Sequence, residues 1–559
     1  MASCNDKTLH LERYLLPFLP TAISLPIILR DLLRKEDIMA FLTVWNAAAA
    51  VLLYCVASFF CRIVYRVYFS PLAKFPGPKL AAATYLPEIY YDLFHGEGGQ
   101  FPWAIQKWHE KYGPIIRINP NELHVKDSTW YDTCYSSTRR SWKHLPVLDA
   151  VGMGKSTVAA FNPDRWRIKR NAISPFFSRK NIVAYEPEMH RHMARIMSRL
   201  QEEYSGTGKV LSLHHFWDCY ASDNIMAFAF DQHHDFVNSP NFHSSISEGM
   251  DAITESSNIF KYLTFVPKMM DHLPRWLVGK LNPAILPVLK VQDDLRDKIS
   301  DVLSLYDPDR KQSDTIFGAL LHQGLPPEEL THVALHQEAM SVIGAGVETV
   351  NRALTIACFY IINDPEVRAR VVSELQEAIP DPSSIPNWDT LQKLPYLTGC
   401  IEEALRFSYG VSQRRTRGYR DGPLIYQDWE LPPGTWVGMD NFDVAHDEAI
   451  FPDSFKFQPE RWIGNPVAPD GRPLARYQVA FGGKEQRSCT GIHFAYAEFY
   501  IAMAHFFRSP LGSQAALAEG TNEWDVKMTR DTLVPRPMKG RKGVMLVFPP
   551  AAADEKMES

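Results

Sequence analysis

Apolar and polar positions recur along much of the chain at the spacing of amphipathic helices. This pattern predicts helices over residues 101–112, 181–200, 216–230, 327–363 and 394–407. Short apolar runs predict two strands over 115–118 and 123–126, joined by the turn 119–121, and further short strands within 423–440 and 522–548. The chain is therefore expected to consist mostly of helices with a few short strands.

An uncharged apolar run near the N-terminus, residues 39–61, is long enough to cross a bilayer as a helix. Arg62, Arg66 and Lys74 follow this run and favour a cytosolic C-terminal side, although Arg34 and Lys35 precede it. A cleaved signal peptide is the alternative interpretation. Residues 1–38 are interpreted as an N-terminal extension. Either residues 15–29 form an interfacial segment, or residues 1–38 are a gene-model extension or an alternative start.

Prolines mark the stretch after the apolar run and predict a semi-rigid neck over residues 62–80. Residues 81–550 are predicted to form one large domain, and residues 551–559 a disordered tail. Within that domain, residues 257–282 combine large apolar side chains with Lys and Arg. This segment is either part of the core or a surface that meets the membrane or lines a substrate entrance.

Composition narrows the possible functions. The net charge is −5 with acids and bases mixed along the chain, so no nucleic-acid-binding surface is predicted. The eight cysteines form neither a CxxC motif nor a Cys/His zinc spacing. They do not predict a disulfide framework, and they favour a reducing compartment for the main domain.

The most informative stretch is residues 481–491, FGGKEQRSCTG, which a helical run follows. Cys489 stands at the start of that helix with Arg487 close by, and both the helix dipole and the arginine favour the thiolate. A lone thiolate in a glycine-rich turn can bind a haem iron from one side. A buried structural cysteine at a helix start is the alternative.

Three further motifs precede this loop. Trp166 and Arg170 are four residues apart and share one helical face. Residues 344–349, GAGVET, place two glycines in mid-helix, which costs stability unless a flat, bulky group must approach the backbone. A packing notch with a solvated glutamate is the alternative. Glu403 and Arg406 are three apart, and Arg461 follows in the sequence PERW.

Together these motifs resemble the cytochrome P450 family over residues 70–550. The loop matches the family pattern at Phe481, Arg487, Cys489 and Gly491. It departs from that pattern in two ways: one extra residue lies between Phe481 and Arg487, and the family glycine is replaced by Lys484 or Glu485. The stretches KFPGPKLAAAT, IIRINPNELHV, RNAISPFFS and LRFSYGVS resemble fungal trichodiene-oxygenase-like P450s of secondary metabolism.

The resemblance implies a P450 fold, mainly α with small β-sheets, preceded by a transmembrane helix. It implies haem b with Cys489 as the axial metal ligand, and Glu348 and Thr349 as the catalytic pair that delivers protons. The implied haem-contacting residues are Trp166, Arg170, Gly346, Arg417, Phe481 and Arg487, with Arg414 and Arg415 as alternatives to Arg417. Glu403, Arg406 and Arg461 would form a structural triad beneath the cysteine loop.

The resemblance also implies the reaction and the partners. The enzyme would hydroxylate or epoxidise an apolar terpenoid or polyketide-derived scaffold with O2 at the cytosolic face of the endoplasmic reticulum, as a single-pass membrane protein. The sequence shows no GxGxxG motif after a strand, so electrons would come from NADPH through a separate NADPH-cytochrome P450 reductase. The alternatives are a thiolate-haem isomerase that uses no oxygen and a non-catalytic haem binder.

Overall fold

The chain divides into two units, Met1–Ala73 and Lys74–Ser559. The computed structural model describes residues 35–231, 235–307 and 315–548. The predicted interfacial segment at 15–29 and the predicted tail at 551–559 lie outside the described residues, as does most of the extension at 1–38.

The first unit contains one long helix, α1 (Lys35–Val64), which continues as a π-helical turn over Tyr65–Phe69. Residues 45–69 have a mean hydropathy of 2.1 and stay exposed, and by length and composition they could cross a membrane. Helical structure extends into the predicted neck because its first proline, Pro71, comes only after this turn. The domain boundaries of this region stay a prediction.

The second unit is mainly helical. Its helices as far as residue 281 are α2 (Lys79–Ala83), α3 (Leu86–Ile89), α4 (Phe101–Tyr112), α5 (Tyr131–Cys134), α6 (Pro146–Ala150), α7 (Pro163–Ile173), α8 (Arg179–Tyr204), α9 (Leu213–Phe230), α10 (Ser245–Glu255), α11 (Ser257–Tyr262), α12 (Phe265–Asp271) and α13 (Arg275–Leu281). The later helices are α14 (Leu286–Ser304), α15 (Ile316–Leu320), α16 (His332–Asn363), α17 (Pro365–Ala378), α18 (Trp388–Leu391), α19 (Pro395–Ser408), α20 (Asn441–Ala445), α21 (Ile492–Arg508) and α22 (Pro510–Ser513).

The strands are short, as expected for a fold in which sheets only flank the helices. They are β1 (Ile115–Asn119), β2 (Glu122–Val125), β3 (Ser141–Lys143), β4 (Leu211–Ser212), β5 (Arg417–Tyr419), β6 (Leu424–Tyr426), β7 (Trp429–Leu431), β8 (Trp436–Gly438), β9 (Ala516–Leu517), β10 (Arg530–Thr532), β11 (Val534–Arg536) and β12 (Met545–Val547). A five-stranded sheet has the order β1-β2-β8-β5-β3, with Ile115 opposite Val125. The predicted fold class, mainly α with small sheets, is confirmed.

The central helix of the second unit is α16, which packs against α9, α14, α19 and α21. It begins later than the prediction from Pro327, because a separate 3-10 turn covers Pro327–Glu329 and Thr331 then caps the helix. The Thr331 side chain accepts a hydrogen bond from the Ala334 backbone N–H. The mean hydropathy of α16 is 1.2, which would permit a membrane span, but most of the apolar part of this helix is buried within the protein.

Residues 257–282 form α11, α12 and α13 on the surface. Their large apolar side chains are mostly exposed, including Phe265, Met269 and Trp276. The core interpretation of this segment is therefore wrong for these side chains. An exposed apolar face carrying basic residues remains consistent with the membrane-facing alternative.

Candidate functional site

The cysteine loop is closed by its own backbone. The Cys489 N–H donates to the Phe481 carbonyl oxygen over 2.9 Å, and α21 begins three residues later. Gly482 has a φ of +92°, and a Cβ there would lie 2.6 Å from Nη1 of Arg415. Only glycine therefore suits this position, since it accepts both the left-handed backbone and the neighbouring guanidinium.

Cys489 has an exposed side chain, yet protein surrounds it. Burial raises the pKa of its thiol, while the Gly491 backbone N–H and Arg170 oppose that shift. The side chain is therefore open to contact, although the neighbouring protein desolvates it. The sulfur is thus available to a ligand inside the protein, and a metal ion would displace the thiol proton.

Trp166 and Arg170 lie on one face of α7, and both are directed to the cysteine loop. Arg170 donates to the Ser488 carbonyl over 2.9 Å and also contacts the side chain of Thr490. The indole of Trp166 lies under the Arg487 guanidinium, 4.9 Å from ring centre to Cζ. These contacts fix the loop; the propionate-binding role of Trp166 and Arg170 stays a prediction.

Arg487 binds two backbone carbonyl groups outside the cysteine loop. It donates to the Ala160 oxygen over 2.8 Å and to the Ser141 oxygen over 3.1 Å. Its buried Nε has no hydrogen-bond partner among the described residues. Phe481, the first residue of the loop, packs against Tyr496 of α21 with ring centres 5.2 Å apart.

Glu485 shows how the longer loop is accommodated. This buried carboxylate accepts from Nε and Nη2 of Arg417 over 3.1 and 2.8 Å, and from Nη1 of Arg415 over 2.5 Å. Burial opposes its ionisation, but Arg417 and Arg415 hold the pKa of Glu485 below its ordinary value. The predicted propionate residue Arg417 and its alternative Arg415 are therefore both paired to the cysteine loop. Arg414 points elsewhere, to Glu88 and Glu122.

The charges around this loop do not balance. The buried or half-buried guanidinium groups of Arg415, Arg417 and Arg487 surround the single carboxylate of Glu485, which leaves two positive charges in excess. Lys143 lies in the same cluster, where burial and then Arg417 and Arg487 hold its pKa well below the ordinary value. The Nε–H of Arg415, like that of Arg487, has no hydrogen-bond acceptor in the part of the chain that the structure describes. A dianion with two carboxylates, as in haem, fits this donor set.

The middle of α16 presents one less buried face. Ala345 is exposed and Thr349 is half-buried, and these positions lie one turn apart. The Thr349 hydroxyl donates back to the Ala345 carbonyl over 2.8 Å. Gly346 lies on another face, where a Cβ would stand 2.7 Å from Cγ1 of Ile225 on α9. Close helix packing accounts for this glycine, in line with the packing-notch alternative.

Glu348 belongs to a buried ionic network that the sequence motif did not reveal. Its Oε1 lies 3.2 Å from Nη1 of Arg536, and Nη2 of Arg536 donates to Asp251 over 2.7 Å. His214 Nε2 lies 3.2 Å from Asp251 Oδ2 and 3.0 Å from Asp218 Oδ2. His214 and Asp251 are partly exposed, so the network connects the buried Glu348 to the outside.

The titration of this network is strongly shifted. Burial raises the pKa of Glu348 to about 7, although Arg536 opposes the shift. Burial lowers the pKa of His214, but Asp218 and Asp251 outweigh it and raise the value to about 10. A carboxyl group with a pKa near neutrality can both accept and release a proton under cellular conditions.

The predicted structural triad is assembled. Glu403 is fully buried and accepts from Arg406 over 2.9 and 2.7 Å and from Arg461 over 3.3 Å. The Trp462 indole adds a hydrogen bond of 2.9 Å. Arg406 also donates to the Ala445 and Ser454 carbonyls, so the triad joins α19 to the segment that precedes the cysteine loop.

Sequence reasoning missed the roles of Glu485, Asp251, His214 and Arg536. The extra loop residue was the only sequence signal for Glu485. The other three residues carry no motif, since their partners lie far away along the chain and only folding brings them together.

Comparison with known proteins identifies relatives along most of the chain. A family model described as Cytochrome P450 matches residues 84–509. A cytochrome P450 monooxygenase (orf4) of Eupenicillium brefeldianum is 39% identical over 490 residues, covering 86% of this chain and 94% of the relative. The monooxygenase TRI4 of Trichoderma arundinaceum is 31% identical and covers 91% and 96%. The tryptophan 6-hydroxylase fscE of Fusarium equiseti is 35% identical and covers 88% and 95%.

Proposed function

Since this chain belongs to the cytochrome P450 family, as its motifs predicted, we propose that it is a haem-thiolate monooxygenase that oxidises an apolar secondary metabolite. Family membership makes it an oxidoreductase, and its relatives are fungal P450 monooxygenases. Hydroxylation or epoxidation of a terpenoid or polyketide-derived scaffold is the proposed reaction. The hydroxylase of Fusarium equiseti acts on tryptophan by its name, so an aromatic scaffold is a further possibility to test.

The observation that carries the proposal is the uncompensated positive charge beside Cys489. Three guanidinium groups face one carboxylate, and two of their Nε atoms lack a partner in the described residues. Leaving such groups buried and unpaired is costly. The two propionates of haem b would balance the two excess charges. The unpartnered Nε–H groups of Arg415 and Arg487 would donate to them, and Cys489 would be the iron ligand.

When bound, haem supplies iron whose thiolate ligand favours cleavage of the O–O bond. The protein's contribution begins with the cysteine loop, where Arg170 and Trp166 fix the backbone around Cys489. The Gly491 N–H is directed to the sulfur and tempers its charge. Hydrogen bonds of this kind tune the electron donation of a metal-bound thiolate.

Proton delivery is assigned to Glu348 and Thr349. Glu348 would take protons from the partly exposed pair His214 and Asp251 through the side-chain hydrogen bond between Asp251 and Glu348. Arg536 holds the two carboxylates in place and stays protonated. Thr349 lies on the less buried face of α16 and can release its hydrogen bond to Ala345 to present its hydroxyl on that face. Its neighbour Glu348 would replenish the proton that it passes on.

Electrons would come from NADPH through NADPH-cytochrome P450 reductase, a partner typical of the family. The apolar helix α1 fits a membrane anchor typical of eukaryotic members. We place the enzyme as a single-pass protein of the endoplasmic reticulum with its catalytic domain in the cytosol. Partition of a chain truncated before residue 74 into the soluble fraction, against the full chain in microsomes, tests this placement.

The decisive experiment is the absorbance spectrum of the reduced, carbon-monoxide-bound protein. The wild type should show the strongly red-shifted Soret band of thiolate ligation, and Cys489→Ser should lose it. Cys61→Ser, a change at an exposed cysteine in α1, is the control and should leave the band unchanged. A band typical of histidine or neutral-thiol ligation in the wild type would refute the proposal.

Product analysis separates the remaining alternatives. A monooxygenase forms product only with NADPH, reductase and O2, whereas a thiolate-haem isomerase would form it without them. A protein that binds haem with the red-shifted band but yields no product from any scaffold that perturbs its spectrum would be a non-catalytic haem binder.

A further inference from the structure

A second cluster of chemically competent side chains lies away from the cysteine loop. His124 of β2, Asp440 and Asp443 each offer one ligand atom, and these three atoms lie within 4.8 Å of one another. All three residues are buried. The antiparallel and parallel pairings of β2 place His124 next to the end of β8, where Asp440 begins the turn into α20.

A chain of hydrogen bonds fixes the tautomer of His124. The Gly113 carbonyl can only accept, so Nδ1 of His109 must donate to it over 2.7 Å. A neutral imidazole that carries its proton on Nδ1 accepts at Nε2, and Nε2 of His109 lies 2.8 Å from Nδ1 of His124. Nε2 of His124 therefore carries a lone pair rather than a proton.

That lone pair is directed at a carboxylate. Nε2 of His124 lies 3.5 Å from Oδ2 of Asp440 and makes no hydrogen bond within the described chain. Oδ1 of Asp440 and Oδ2 of Asp443 are likewise buried without a hydrogen-bond partner in the described ranges. One ligand atom of each residue lies within 4.8 Å of the other two, and such a group of electron-rich atoms requires a positive centre between them.

Nearby cations only partly neutralise the two acids. Lys126 lies 3.6 Å from Oδ1 of Asp443, and Gln106 donates to the same oxygen over 3.1 Å, which leaves Oδ2 open. Arg414 is occupied by Glu88 and Glu122.

We propose that His124, Asp440 and Asp443 bind a divalent first-row transition-metal ion of the zinc class, separate from the haem iron. One imidazole nitrogen and two carboxylate oxygens are a common ligand set for such ions. Two ligands about 2.1 Å from a tetrahedral ion stand about 3.4 Å apart, close to the separation of the histidine and Asp440 atoms. His109 would be the outer partner that orients the ligating imidazole.

An ion could reach this site through a surface cleft of about 620 Å³. Asp443, His109, Lys126 and Gln106 line the cleft, so one ligand and its hydrogen-bond partners border on solvent. Water from the cleft would complete the coordination. The site is therefore accessible to exchange with free metal, and a chelator should be able to empty it.

The position of the site indicates a structural role. Asn441, between the two acids, accepts from Tyr131 over 3.0 Å and donates to the Val479 carbonyl over 3.3 Å, just before the cysteine loop. Tyr131 in turn contacts Arg415. An ion that fixes Asp440 and Asp443 would hold Asn441 in place and so steady the approach to the loop.

The test is the metal content of the full-length, haem-loaded protein purified without chelators. Elemental analysis should find about one zinc ion per chain in addition to haem iron. A chromophoric chelator should remove it, and added zinc should raise the unfolding temperature of the stripped protein. Asp440→Asn should weaken zinc binding by at least about tenfold, since even outer-shell partners change affinity by that much.

Asp447→Asn is the matched control, because Asp447 lines the same cleft without belonging to the cluster. It should retain zinc and its thermal response. Wild-type protein that neither retains zinc nor gains thermal stability from it would overturn the proposal, and this holds even if Asp440→Asn fails to fold. If zinc has no effect on the wild type, a proton shared between Asp440 and His124 occupies the site instead. Asp440→Asn, where it folds, should then raise the unfolding temperature.

Discussion

Two buried glutamates of this protein, Glu403 and Glu348, differ in how fully their charge is paired. Glu403 accepts hydrogen bonds from Arg406, Arg461 and Trp462, so its charge is fully compensated. Glu348 has one ion pair, with Arg536, and its Oε2 lacks a partner in the described part of the chain. Both residues lie on long helices of the same core.

The difference shows how one protein uses burial for structure and for chemistry. A carboxylate with every partner in place holds its neighbours in one arrangement, and removing it leaves buried charges unpaired. A carboxylate with an incomplete set of partners keeps a pKa near neutrality and can exchange its proton. The same substitution, Glu to Gln, should therefore have different consequences at the two positions.

The largest effect is expected from Glu403→Gln. The change leaves Arg406 and Arg461 buried without their counter-charge, which should destabilise the fold by about 3–5 kcal/mol. Chemical or thermal unfolding followed by circular dichroism would measure it, and haem retention should fall in parallel. A variant as stable as the wild type would show that the triad does not stabilise the fold as its geometry indicates.

Glu348→Gln should leave the protein folded but slow product formation by about 100-fold, because the glutamine side chain cannot bind and release a proton. Steady-state turnover with reductase measures the rate, and the carbon-monoxide spectrum verifies that haem is bound. An equal loss of stability in Glu348→Gln and Glu403→Gln would remove the distinction between the two residues.

Thr349→Ala should uncouple oxygen consumption from product, lowering product per O2 by about tenfold. The hydroxyl on the less buried face of α16 is lost, while the packing of the helix is unchanged because Thr349 is only half-buried. Parallel measurement of O2, peroxide and product gives the coupling ratio. Unchanged coupling would assign proton delivery to another group.

A smaller effect is expected from pH, which should change both the product formed per O2 and the stability of the protein. The pKa of Glu348 is raised to about 7, so the folded protein loses this proton as the pH rises through 7. Product per O2 in the wild type should then decline, whereas the profile of Glu348→Gln should be flat over the same range. The folded state also holds this proton more tightly than the unfolded chain, so stability should fall as the pH rises from 4.5 to 7 in the wild type relative to the variant.

The smallest effect is expected for Glu460→Gln. Glu460 pairs with Arg370 over 2.6 Å, but both side chains are about half exposed. Surface ion pairs of this kind contribute little, so the unfolding midpoint of the variant should match that of the wild type. A larger loss would mean that the segment beneath the triad depends on its surface contacts as well.

Local signals predicted the fold well. The helix Phe101–Tyr112 was predicted with its observed ends, because Gly113 and Pro114 terminate it and the apolar spacing within it is regular. The start of α16 was misplaced, since the Pro-Glu-Glu signal begins a separate 3-10 turn and the cap belongs to Thr331. Competing start signals a few residues apart cannot be ranked without the packing that selects one of them.

The candidate site could be predicted only where its partners are close in sequence or belong to a known motif. Glu403 and Arg406 are three residues apart, and the structure brings them together. Glu485 and Arg417 are 68 residues apart, and Arg536 and Asp251 are 285 apart. No local sequence pattern indicates that these residues meet, so only the folded structure reveals their ion pairs.

The pairing of Glu485 with Arg415 and Arg417 has a consequence for chimeric enzymes. A shorter loop grafted from another family member in place of residues 481–491 would remove this carboxylate. Both arginines would lose their counter-charge, and one of them, Arg417, lies in the five-stranded sheet. Gly482 adds a steric condition, because its space is taken by Arg415. The loop and the two arginines therefore form one exchangeable module, and domain shuffling that respects this unit should yield folded hybrids where a loop swap alone does not.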